Sequence, residues 1–279
     1  MQNYSKRTDL ALESAENVDI SRELPDGISV SEKKTSAFLV TEVGVSTKEA
    51  SEKIEKPIGR YVTLETGDRL DMRPENFEQC AYDLAEEITR LKGDAERILV
   101  VGLGNEDITP DSLGPRVCAH IFATRHIREN APEIYSDDLG EVSAIAPGVM
   151  GQTGIEASEL IRSVCGAIKP SLVLAVDALA CSEISHLGRT IQLTDTGISP
   201  GSGVLNSRRE LSQATLGVPC IAIGVPTIAD LGQADGEPLM VTPRSVDKLI
   251  SCSAQLISAA INLSVHDGLS LDEIISLTS

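Results

Sequence analysis

Three near-continuous apolar runs set the strongest limit on what this chain can fold into: ILVV at 98–101, LVLAV at 172–176 and CIAIGV at 220–225. Runs of this length, bounded by Gly, Pro or Asp, suit strands buried on both faces. Helical patterns over Leu113–Arg125 and Ile155–Ile168 lie between the first two. Both faces of such a sheet need helices, so the expected fold class is α/β, with a mainly parallel or mixed sheet.

The rest of the chain fits around that frame. SAFLVTEVGVS (36–46) and RYVTLET (60–66) read as strands. Phe77, Ala81, Leu84, Ile88 and Leu91 recur at helical spacing, and Gly93 ends the pattern. SAIAPGV (143–149) and TIQLTD (190–195) add strands, and Lys169-Pro170 stops the helix before the second apolar run. A long last helix is expected from Thr242 as N-cap and Pro243 as first helical residue. Residues 1–35 are polar and lack sustained periodicity, which predicts an extended or mobile leader ahead of one α/β domain over 36–279.

Composition narrows the function classes. A formal net charge of −18 argues against a nucleic-acid partner, which needs clustered Lys and Arg. No apolar run approaches the roughly 20 residues that span a bilayer, and the polar N-terminus does not read as a secretory signal, so a cytoplasmic protein is expected. The six cysteines are scattered, with no CxxC pair, and read as buried thiols in a reducing compartment.

The segment after the first apolar run, GLGNEDITPDSLGP, places Asp111 just before the next helical pattern. Asp177 stands at the end of the second such run. Ligands of open α/β sheets bind beyond the carboxyl ends of the strands, so these two residues, 66 positions apart, are candidates to converge. Two carboxylates sharing a water supply a base and an acid. Asp also caps helix starts and turns, and on spacing alone that reading stays open for both. TDTGI (194–198) carries the Asp-Thr-Gly triplet of pepsin-like proteases, but there is one copy and an α/β rhythm, so only Asp195 is kept, as a site-edge candidate. GLGNED departs from a dinucleotide fingerprint at Asp107 and Pro110. PGSGVLNSRR (200–209) lacks the GK[ST] of a P-loop; its Gly201 and Gly203 suit a loop that cradles a peptide backbone or an anion. The four histidines show no metal-binding spacing, so neither metal nor cofactor is expected.

Taken together, RTDLALE (7–13), GRYVTLE (59–65), VVGLGN with TPDSLGP, APGVMGQTGIE (146–156), VDALA (176–180), TIQLTDTGISPGSG (190–203), TLGVPCIAIGVPT (215–227) and VTPRSVD (241–247) resemble the germination protease family of endospore-forming bacteria, in order and over nearly the whole chain. The resemblance implies an atypical aspartic-type endopeptidase that degrades small acid-soluble spore proteins in the spore core. It implies Asp111 and Asp177 as the catalytic pair; Glu156 is kept beside Asp195 as a further site-edge candidate. It also implies a homotetramer, and a zymogen whose short pro-segment, about residues 1–9, is removed by self-cleavage near Asp9–Leu10. Two departures stand out: Leu205 where another glycine is expected, and only Ile228–Met240 where relatives often carry a long insertion. The alternatives are a metal-dependent endopeptidase of the hydrogenase-maturation type and a non-catalytic homologue that binds spore proteins. Against the first, Asp111 is followed by Ser112 rather than Glu; against the second, both aspartates are present.

Overall fold

In the computed structural model, the residues described are 8–16, 26–71, 75–131, 135, 139–199, 210–234 and 237–278. In chain order the elements are α1 (Ala11–Glu16), β1 (Ile28–Lys34), β2 (Leu39–Val45), α2 (Lys48–Ile54), β3 (Gly59–Glu65), α3 (Phe77–Lys92), β4 (Arg97–Gly102), α4 (Leu113–Ala119), α5 (Arg125–Asn130) and β5 (Glu141–Ile145). There follow α6 (Met150–Thr153), α7 (Ala157–Ile168), β6 (Leu172–Cys181), β7 (Thr190–Thr194), α8 (Gln213–Leu216), β8 (Cys220–Ala234), β9 (Glu237–Val241), α9 (Val246–Val265) and α10 (Leu271–Thr278).

One mixed sheet runs in the order β1-β2-β3-β7-β8-β6-β4-β5, with β9 paired to β8. Its β8-β6-β4-β5 half is parallel. Its β1-β2-β3-β7 half is antiparallel, and β7 joins the two by running antiparallel to β8. The apolar runs explain the layering. Ile98 and Val100 of β4, with Leu172, Leu174 and Val176 of β6, pack into one core with α3, α4 and α9. Leu99 and Val101, with Val173 and Ala175, face the opposite way into a core with Ala157, Ile161 and Cys165 of α7. Alternation at period two therefore buries both faces, as the sequence predicts.

α9 has the length and apolar composition of a membrane-spanning helix. Here it is a core helix: Leu249, Ile250, Leu256, Ile257, Ala260 and Ile261 are fully buried. Four cysteines, Cys80, Cys165, Cys181 and Cys220, are buried as free thiols, and Cys118 and Cys252 are partly buried.

Several boundaries differ from expectation for identifiable reasons. The leader is not extended throughout, since residues 11–16 form a helix and 28–34 form β1. The helix expected over 113–125 stops at Ala119, because the Asn262 side chain from α9 donates to His120 O and accepts from Phe122 N, capturing that backbone. α9 starts three residues late, at Val246, with Ser245 as its cap residue. The Ser245 hydroxyl donates to Asp71 and accepts from Arg69, so tertiary bonds fix the entry. β8 runs past the apolar run that ends at Val225 to Ala234 through a bulge, because Leu179 pairs with Pro226 and Ala180 with Ile228, leaving Thr227 as the extra residue. A bulge tolerates a proline that an unbroken ladder would not.

The first turn of α4 lies on β4 and β6 with no room for a side chain. A Cβ on Gly114 would come within 2.3 Å of Leu103 O and 2.5 Å of Val176 O, all backbone. Gly114→Ala is therefore expected to lower stability by about 1–3 kcal/mol, read as a drop in the urea midpoint. An unchanged midpoint would mean that α4 is free to slide on the sheet.

Candidate active site

Past β4, the chain wraps tightly before entering α4. Gly104 adopts φ +115°, and a Cβ there would stand 1.9 Å from Asp111 O. Only glycine allows that approach. Asn105 N then donates to Asp111 twice, to Oδ2 at 2.9 Å and to the main-chain oxygen at 3.1 Å. Asp111 closes a 3-10 turn over Thr109–Asp111, with its N–H donating to Ile108 O at 2.8 Å. The turn is tied to the sheet at two further points. Leu103 N donates to Val176 O at 2.8 Å, and the buried Thr227 hydroxyl donates to Pro110 O at 2.8 Å. The bulge in β8 thus supplies a hydroxyl that holds the turn carrying Asp111.

Asp177 lies within β6, not at its end, because the strand continues to Cys181. It is 5% exposed, pairs across the ladder with Gly224 of β8, and accepts from Ala178 N at 2.9 Å. The ladder pairs Gly102 of β4 with Val176 of β6, one residue before it. From β4 the chain crosses to β5 on one side, whereas from β6 it goes on through β7 to β8 on the other. That divergence is a switch point of the parallel sheet, where a crevice opens beyond the carboxyl ends. Asp111 follows β4 and Asp177 lies on β6, the two neighbouring strands on either side of that point. Ser112, not Asp111, is the cap residue of α4; the Asp111 carboxylate instead holds its own loop through Asn105 N, and Asp177 stands inside a strand.

A polar strap closes the far end of β6. Asp9 N donates to Ala180 O at 2.9 Å, and Ala180 N donates back to Asp9 Oδ2 at 2.8 Å. The carbonyl of Asp9 accepts from Lys56 Nζ and Gln192 Nε2, both at 3.0 Å, and Leu10 is fully buried. Lys56 follows Glu55, a non-glycine residue in the left-handed region at φ 55° that ends α2. Burial pushes the Lys56 ammonium below its ordinary value, against the pull of the Asp9, Glu13 and Glu55 charges. Glu13, 2% exposed, accepts from Ser182 N and Oγ at 2.7 Å, from Glu183 N at 3.1 Å and from His186 Nδ1 at 2.6 Å. Burial alone would raise the Glu13 carboxyl, but hydrogen bonds from His186, Thr8 and Ser182 outweigh it and hold the group at about 2.

The other candidates separate. Asp195 does not reach the crevice edge: β7 runs antiparallel to β8 with Thr194 opposite Ala222, so Asp195 lies toward the amino ends of the parallel strands. There it takes the Arg60 backbone N–H and guanidinium, each at 2.8 Å. Glu156 is the cap residue of α7, on the loop beyond β5, and its carboxylate makes no capping bond. Gly201, Gly203 and Leu205 lie outside the described residues. Among the described residues, no three His, Cys, Asp or Glu side chains gather as a metal-ligand set. Sequence reasoning missed Asn105, Thr227 and Glu13. Glu13 left a signal, a carboxylate inside the apolar pattern of LALESA, whereas a bulge hydroxyl such as Thr227 has none.

The fold and the crevice together define an α/β protein with carboxylates at the switch point of a mixed sheet. The family model of the germination protease matches residues 6–234, and the chain belongs to that family, which makes it a protease of spore germination. It is 38% identical to the germination protease of Caldanaerobacter subterraneus subsp. tengcongensis, with 96% of each chain covered. To that of Clostridium tetani it is 37% identical, over 97% of this chain and 98% of the relative. To that of Priestia megaterium it is 42% identical, over 82% of this chain and 65% of the relative. Among solved structures, the [NiFe] hydrogenase maturation protease HycI from Thermococcus kodakarensis matches with a TM-score of 0.34 and 17% identity, over 63% of this chain and 98% of that one.

A carboxyl held lower in the folded chain than in the unfolded one adds stability above its unfolded pKa and loses it as pH falls toward the folded value. For Glu13 that window runs from 4.5 down to about 2. Glu13→Gln is expected to cost on the order of 3 kcal/mol at neutral pH, a gap that narrows steadily on acidification through this window. Paired urea titrations across pH measure it, and a gap independent of pH would show that the strap does not draw on the Glu13 charge.

Proposed function

We propose that the protein is an endopeptidase that degrades small acid-soluble spore proteins in the spore core, using Asp111 and Asp177 as a pair that activates water. The observation that carries this reading is the tie between the Asp111 turn and β6 beside Asp177, at the switch point of the parallel strands. One ionised carboxylate takes a proton from water as the oxygen attacks the scissile carbonyl carbon. The other, protonated, donates to the carbonyl oxygen. Collapse of the tetrahedral species passes a proton to the leaving amine and frees two peptide ends. Two like charges held close favour one proton shared between them, which supplies both roles at once.

The resemblance extends the proposal to a zymogen that cuts itself near Asp9–Leu10 and to a homotetramer. The strap supports a defined place for that bond, with the Asp9 carbonyl held by Lys56 and Gln192. The test is cleavage of a purified small acid-soluble spore protein in the presence of chelator, beside Asp111→Asn and Asp177→Asn. Wild-type cleavage in chelator with a loss of at least about 10³-fold in each variant is expected. Silencing by chelator would transfer the reaction to a metal-dependent mechanism, and active variants would remove the two aspartates from it.

A further inference from the structure

The loop that carries Asp111 is fastened from outside by one exposed side chain. Gln152, on α6 in the loop beyond β5, spends both of its amide hydrogens on this loop. Nε2 donates to Asn105 Oδ1 at 2.8 Å and to Asp107 Oδ2 at 2.8 Å. Asn105 Oδ1 also accepts from Asp107 N at 3.0 Å, and Asn105 N is the donor to Asp111 Oδ2. The chain of contacts therefore runs from Gln152, through Asn105, to the carboxylate of Asp111. Asp107 adds a negative charge to a loop that already bears Glu106 and Asp111, and the Gln152 amide is a donor that holds it without adding another.

We infer that Gln152 is a positioning residue: it bridges Asn105 and Asp107, so that the Asn105 N–H stays aimed at the Asp111 carboxylate during turnover. The inference rests on the reading of Asp111 as a catalytic residue. Gln152 is exposed and belongs to neither core cluster of the sheet, so losing its bonds costs the fold little. It costs catalysis more, because a carboxylate displaced by a fraction of an ångström loses alignment with water and carbonyl.

The test compares kcat and KM of wild type, Gln152→Ala, Gln152→Lys and Gln152→Glu on a small acid-soluble spore protein, with Asp111→Asn alongside. N-termini are checked by mass spectrometry, and any unprocessed variant is first converted with a trace of wild-type enzyme. Gln152→Ala is expected to lose roughly 10- to 100-fold in kcat with KM within about twofold, at a melting temperature within about 2 °C of wild type. Gln152→Lys, which can donate to both acceptors, restores most of kcat. Gln152→Glu, which sets a carboxylate against Asp107, does no better than Gln152→Ala. A Gln152→Ala enzyme with wild-type kcat, or one altered in KM alone, overturns the inference. So does a kcat loss that Gln152→Lys fails to repair. If Asp111→Asn keeps wild-type activity, the reading of the site has failed instead, and the inference falls with it.

Discussion

The architecture of the crevice depends on backbone meeting backbone where α4 lies on the sheet. Gly102, Gly104 and Gly114 each approach main-chain atoms so closely that a Cβ would fall within 2.5 Å of one: Gly114 O for Gly102, Asp111 O for Gly104, Leu103 O for Gly114. Removing three side chains brings α4 down onto β4 and β6, and the turn between β4 and α4 has no path except back over the strand ends. Asp111 is on that turn. The glycines therefore do not touch any reacting group, yet they set where a carboxylate can stand. A packed interior resists sliding by fractions of an ångström, so this contact fixes the turn more firmly than its few hydrogen bonds could alone.

The two aspartates are held by different means. Asp177 belongs to a strand hydrogen-bonded on both sides, by β4 up to Val176 and by β8 up to Cys181, and buried on both faces. Its position follows from the whole sheet. Asp111 sits on a loop whose fastenings are local: the paired bonds from Asn105, the Thr227 hydroxyl on Pro110, and the Gln152 bridge. Loops on rigid scaffolds are where catalytic groups are commonly adjusted. In this pair the strand residue supplies the fixed reference and the loop residue the adjustable partner.

The parallel half of the sheet could be read from sequence because its strands are apolar on both faces, and the helices between them show period 3.6. The crevice followed from a topological rule applied to two aspartates. What escaped depends on contacts that sequence does not display. α1 and β1 looked like polar leader because Glu13 and the charged SEKK stretch of β1 mask their pattern, and Glu13 is stable inside only through partners some 170 positions away in Ser182, Glu183 and His186. The premature end of α4 is imposed by Asn262, far along the chain. Asp195 drew notice through a three-residue motif, and its place was decided by strand direction, since β7 runs antiparallel and carries it away from the carboxyl ends.

The strap changes what a cut near Asp9–Leu10 would mean. In this conformation Asp9 is bonded to Ala180 through both its N–H and its carboxylate, while Lys56 and Gln192 hold its carbonyl. Beyond the bond, Ala11 N donates to Gln192 Oε1 at 2.7 Å and Glu13 anchors the helix to the turn after β6. Tethers therefore stand on both sides. Severing the bond would leave the α1 side still fastened through Glu13, whereas the Asp9 side would depend on Ala180, Lys56 and Gln192 for its hold. Residues 10–16 are thus built into the body of the protein, and the chain ahead of Leu10 is the part that a cut could release. Because Asp9 pairs with β6 three residues beyond Asp177, its departure would uncover the edge of β6 nearest the crevice. A cut there would in this way reach the surroundings of Asp177.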